Sequence, residues 1–76
     1  MADFEQTYRE YEQMIHRFLL RLCGNANLAE ELTQETFYQA IKSINRFDGS
    51  CHISTWLCAI AKNQFLAYQR KHPKTA

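Results

Sequence analysis

Seventy-six residues with 46% hydrophobic content and a net charge of +1 make one small domain, which buries only about 60% of the surface its unfolded chain exposes. Two Gly and one Pro leave few turn residues, and the many Leu, Ala, Glu, Gln and Arg argue for helices. No long apolar run and no basic-then-apolar leader are visible, so neither a membrane span nor a secretory signal is expected; three Cys, an odd number, point to reduced thiols in a cytoplasmic protein.

Asp3 is placed to cap a first helix, about 3–23, whose Phe4, Tyr8, Tyr11, Ile15, Phe18, Leu19 and Leu22 recur at helical spacing. Gly24 suits a left-handed stop. Asn27 followed by Glu30 reads as a capping box for a second helix, about 28–44, with Leu28, Leu32, Phe37, Ala40, Ile41 and Ile44 facing inward. Residues 45–53 read as a loop with an Asp48-Gly49 turn. Ser54 or Thr55 would cap a third helix, about 54–70, which carries Leu57, Ile60, Ala61, Phe65 and Tyr68 on its apolar face; Pro73 bars much continuation. Three amphipathic helices with short connections predict an all-α fold, a small bundle of three main helices.

Charge is uneven along the chain. Residues 1–38 carry three basic side chains against seven acidic ones, whereas residues 39–76 carry six basic side chains against Asp48 alone. Such asymmetry suits two partners of opposite sign, or two halves that attract each other. Glu30, Glu31, Gln34 and Glu35 crowd the start of the second helix. Glu31 and Glu35 share a face and repel mildly, which suggests an external basic partner, but on physical grounds alone the favoured reading is that Glu near a helix N-terminus suits the helix dipole.

The second half pairs cations with aromatics. Arg46-Phe47 ends the second helix, and Lys62-Asn63 lies midway along the third. Cations that hold phosphates beside rings that stack on bases, at about 1–3 kcal/mol per base, are the usual equipment for single-stranded nucleic acid. An unstacked base can be read by an Asn, whose amide both donates and accepts. Taken alone, Phe47 reads first as a core residue closing the bundle, and Asn63 as an exposed polar position on a helix.

Taken together, Leu32-Thr33-Gln34-Glu35-Thr36-Phe37, then Arg46-Phe47, then Thr55-Trp56-Leu57 and Ile60-Ala61-Lys62-Asn63 resemble region 2 of bacterial RNA polymerase sigma factors. The likeness is strongest to the small extracytoplasmic-function (ECF) group and runs from about Phe4 to Arg70. The resemblance implies a transcription initiation factor rather than an enzyme. It would dock on the clamp helices of the polymerase β′ subunit and recognise and help melt the promoter −10 element. It implies Glu31, Gln34 and Glu35 as polymerase-binding residues. Phe47 and Asn63 would hold a flipped base of the non-template strand, with Gln39 and Ser43 also touching DNA and Arg46, Lys62 and Arg70 meeting phosphates. An anti-sigma factor covering these surfaces is a further implied partner, and the exposed apolar residues of the first and third helices suit it.

Some positions depart from the family pattern. Trp56 is followed by Leu57 where primary sigma factors have a second Trp, and Ala59 stands where many ECF members have Arg. Cys51-His52 is unusual for the loop. No region 4 domain can be encoded after Lys71, so an isolated region 2, or a truncated relative, is expected. An interaction module that binds only polymerase or an anti-sigma factor is the alternative. A small metal-binding regulator built on Cys51, His52 and Cys58 is a third reading, but no Cys-x-x-Cys or His-x-x-x-His pair supports it, and no cofactor or metal is expected.

Overall fold

The computed structural model describes residues 2–73, with side chains from Tyr8 onward. It is all-α: α1 (Ala2–Cys23), α2 (Ala26–Ser43), a single 3₁₀ turn (Ile44–Arg46) and α3 (Ile53–Lys71), each long helix packed on the other two. The molecule measures 47 × 23 × 17 Å. Its least dimension is under two helix diameters of about 10–12 Å, so the core is one layer of side chains deep.

That layer consists of Ile15 and Leu19 from α1, Ala29, Leu32, Phe37 and Ala40 from α2, and Leu57 and Ala61 from α3. Tyr11, Phe18, Trp56, Ile60, Phe65 and Tyr68 pack around it, half-buried. Two polar residues, Thr33 and Thr36, are also buried. Each satisfies its hydroxyl inside the helix: Thr33 Oγ1 donates to the Ala29 carbonyl (2.6 Å) and Thr36 Oγ1 to that of Leu32 (2.7 Å). A hydroxyl bonded four residues back costs little to bury and leaves its methyl to pack, which is how two threonines of the Leu32–Phe37 motif reach the core.

The helix boundaries differ from the sequence expectation in a consistent way. α1 already includes Ala2, so Asp3 lies inside its first turn instead of capping it, and the Asp3 and Phe4 side chains fall outside the described residues. α2 begins at Ala26, not Leu28, and its cap is Asn25: the Asn25 Oδ1 accepts from the Leu28 N–H at 3.0 Å, leaving Asn27 exposed within the first turn. Gly24 takes φ +69°, the left-handed stop of α1, and its N–H bonds to the Leu20 carbonyl (2.8 Å). With that tight reversal the extended residue needed for a cap comes at Asn25 (φ −134°), two residues before Asn27. α3 begins at Ile53, and His52, not Ser54 or Thr55, is its cap.

Ile41 and Ile44, expected to face inward, stand 69% and 47% exposed, and Tyr8 and Leu22 are exposed as well. The buried row of α2 runs through Ala29, Thr33, Thr36 and Ala40, spaced four, three and four residues apart. Ile41, one residue past Ala40, falls off that row onto the flank of the helix, and Ile44 lies beyond the end of α2 in the 3₁₀ turn.

Candidate functional site: an acidic ridge and a loop–helix face

α2 presents Glu31, Gln34 and Glu35, all exposed, on the side opposite its buried row. Spacings of three and four residues keep them on one surface, continued by exposed Tyr38 and Lys42. The Lys42 ammonium lies 5.1 Å from the centre of the Tyr38 ring, so the cation at the end of this ridge is drawn onto an aromatic face. Gln39, half-buried, donates from Nε2 to Glu35 Oε2 at 2.9 Å. One carboxylate oxygen of Glu35 is thereby engaged within the helix, and the other remains available outward.

Beyond α2 the chain turns sharply. Ser43 is half-buried and Arg46 exposed in the 3₁₀ turn that follows it; the Phe47 N–H bonds to the Ile44 carbonyl at 3.1 Å. Asp48 Oδ1 accepts from the Ser50 N–H (2.9 Å) across Gly49, whose φ of +79° only glycine adopts freely. That backbone N–H holds the Asp48 carboxyl below the usual carboxylate range. The Phe47 ring packs on the Trp56 indole, with centroids 5.0 Å apart and planes tilted by 42°. Both rings are half-buried, so each keeps an open portion. Phe47 is therefore neither a core residue nor a free one, but a ring held on a second ring at the protein surface.

α3 carries no acidic residue. Trp56, Ala59, Asn63 and Arg70 follow one another at spacings of three, four and seven and so share a face that runs about 21 Å from the loop toward the helix end. Asn63 and Arg70 are exposed, as is Lys62 on the adjoining flank. Asn63 stands two turns, about 10.5 Å along the axis, beyond Trp56. The α3 residues expected to meet DNA are thus gathered on a cationic surface with the Phe47–Trp56 pair at one end. Gln39 and Ser43 lie instead on α2, and no described hydrogen bond joins them to α3.

Two features of this region were not anticipated from sequence. One is the Glu35–Gln39 bond, which ties the ridge to a residue expected to touch DNA. The other is the His52 cap, for which the pattern Asn/Asp/Ser/Thr used to find helix starts has no entry point. Beside the loop lies an apolar groove of about 440 Å³ between the three helices, lined among others by Tyr8, Tyr11, Phe37, Ile41, Ile44 and Trp56. Among the described residues no three His, Cys, Asp or Glu side chains gather as metal ligands, and Cys23, Cys51 and Cys58 are free thiols. Burial pushes the Cys58 thiol up from its ordinary value, away from the reactive thiolate.

The model of Sigma-70 region 2 matches residues 7–75. The chain belongs to this family. It is 40% identical over 70 residues to the ECF RNA polymerase sigma factor SigM of Bacillus subtilis, a match covering 92% of this chain and 42% of SigM. RNA polymerase sigma factor YlaC from the same organism is 36% identical over 72 residues (95% of this chain, 42% of YlaC), and its ECF RNA polymerase sigma factor SigX 31% identical over 68 residues (90% and 35%). The chain thus spans about two fifths of the length of these relatives. The three-helix architecture, with no strand among the described residues, is the one the family resemblance implies. No helix among the described residues is long and apolar enough to cross a membrane.

Proposed function

We propose that this chain is the polymerase-docking, promoter-reading part of an ECF sigma factor, acting in transcription initiation in the cytoplasm. The observation that carries the reading is the family match over residues 7–75, which takes in the acidic ridge, the loop and α3 in one uninterrupted run. Docking falls to Glu31, Gln34 and Glu35. All three are exposed and would accept from Arg side chains on the β′ clamp helices, the two carboxylates in charge-assisted bonds roughly twice as strong as neutral ones.

Reading falls to the loop and α3. Arg46, Lys62 and Arg70 hold the phosphates of the non-template −10 strand, and Gln39 and Ser43 contact it from α2. A flipped base rests against the open part of the Phe47 ring, which Trp56 backs from below, and the Asn63 amide meets its exposed edge. Capture of an unstacked base removes it from the closing reaction of the duplex. Binding then assists melting by shifting that equilibrium, with no chemical step. The apolar groove beside Ile41 and Ile44 suits an anti-sigma factor that would cover the domain.

A second reading keeps polymerase or anti-sigma binding and drops specific DNA reading. Ala59 favours it, because this exposed member of the Trp56–Asn63 row offers neither charge nor hydrogen bond to a strand lying over it. Selection of a labelled single-stranded library by this chain, with and without isolated β′ clamp helices and at two salt concentrations, separates the two. Enrichment of one short motif, lost in Asn63→Ala, supports promoter reading. Clamp binding with no motif enriched, and a DNA affinity that follows salt alone, supports the second reading.

A further inference from the structure

The structure assigns His52 a positioning role: its side chain, as the N-cap of α3, fixes the Trp56 platform on which Phe47 rests. The inference rests on the reading of Phe47 and the loop as the DNA-facing part. A helix start leaves four N–H groups without helical partners, and here one residue serves two of them, Ser54 N and Thr55 N, besides taking the first ordinary helical bond from Trp56 N. The His52 carbonyl accepts from Thr55 N (3.0 Å) and Trp56 N (3.1 Å), and His52 Nδ1 accepts from Ser54 N (3.1 Å). The Ser54 hydroxyl lies 2.8 Å from the same ring nitrogen. Because a backbone N–H can only donate, Nδ1 is the unprotonated nitrogen, and the ring proton of the neutral imidazole sits on Nε2.

Histidine is not among the favoured caps, and Ser54 and Thr55, which are, lie inside the helix. Two described contacts tie the loop to α3: the His52 cap and the Phe47–Trp56 ring contact four residues into the helix. Between them the loop has the single Asp48–Ser50 bond. When the imidazole is removed the Ser54 N–H loses its partner, the first turn of α3 frays, and Trp56 no longer holds a fixed place under Phe47.

Trp56 is the sole tryptophan of the chain, so its fluorescence reads this turn alone. The test compares the full chain with His52→Ala and His52→Asn, by acrylamide quenching of Trp56 and by affinity for a single-stranded −10 oligonucleotide. His52→Ala is expected to expose Trp56 to the quencher and weaken DNA binding by about three- to tenfold. His52→Asn, which supplies a good cap without an imidazole, is expected to restore both. Unchanged quenching in His52→Ala overturns the role. So does a His52→Asn that behaves like His52→Ala, since the imidazole would then matter for itself; this comparison decides the matter even where the alanine variant unfolds. If the parent chain binds no oligonucleotide, the promoter reading fails, while the quenching series still decides the role of His52.

Discussion

On α2, Glu31, Gln34 and Glu35 stand on a helix whose other side is sealed by Leu32, Thr33, Thr36 and Phe37, so the core itself sets their positions. Asn63 is likewise carried by a helix seated in the core through Leu57 and Ala61, but Phe47, in the loop, has no such backing. Phe47 depends on a ring contact and a few loop hydrogen bonds, and Asn63 is related to it only through the seating of α3. The ridge is therefore as rigid as the bundle. The loop is as rigid as its caps, each of which contributes about 1 kcal/mol. A docking surface benefits from the first arrangement, and a base-capturing surface can adjust because of the second.

Leu19→Ala tests the shared foundation. Leu19 is fully buried, and its truncation is expected to cost about 2–5 kcal/mol, most of the stability of a domain this small, and to abolish both kinds of binding; a thermal melt followed by circular dichroism measures it. Retention of docking after that loss would mean the ridge does not rely on the core. Glu35→Lys isolates the ridge. It places like charge against a basic partner and frees Gln39, and a pull-down on clamp helices should lose about tenfold or more in affinity, with DNA affinity held or raised.

Gly49→Ala isolates the loop. The added Cβ meets nothing within 4 Å, so its effect is the conformational cost of φ +79°, about 1–2 kcal/mol, felt in oligonucleotide affinity and not in clamp binding. The smallest effect belongs to Asp48. Its folded-state pKa is lowered by the Ser50 N–H, so its contribution is present above the ordinary carboxylate range and is lost as pH falls through the lower native value. The Ser50 amide resonance should titrate with a midpoint below that of an ordinary aspartate, while the amides around Asn63 in α3, a helix with no acidic residue, stay unmoved.

The same contrast decides what can be read from sequence. Helices with a single apolar stripe declare themselves by spacing, so the three elements, the acidic ridge and most of the core follow from periodicity. Thr33 and Thr36 escaped it because a threonine counts as polar until its hydroxyl is seen bonded to a carbonyl four residues back. Ile41, one residue off the buried row, and Ile44, in the 3₁₀ turn beyond α2, line the groove instead of the core. The caps escaped it because the reversal at Gly24 moved that of α2 to Asn25, and because in α3 an imidazole acted where the hydroxyl of Ser54 or Thr55 was expected. The Phe47–Trp56 contact joins residues nine apart across a loop, a distance at which no short-range pattern operates.

A crossed binding measurement carries the decision. Glu35→Lys and Asn63→Ala are each titrated against the β′ clamp helices and against the −10 oligonucleotide selected by the parent chain. Two separable surfaces predict a crossover: Glu35→Lys loses the clamp and keeps the oligonucleotide, and Asn63→Ala loses preference for the selected sequence and keeps the clamp. Loss of both partners in either folded variant, or an Asn63→Ala that still prefers the selected sequence, would contradict the division of labour between α2 and the loop–α3 face.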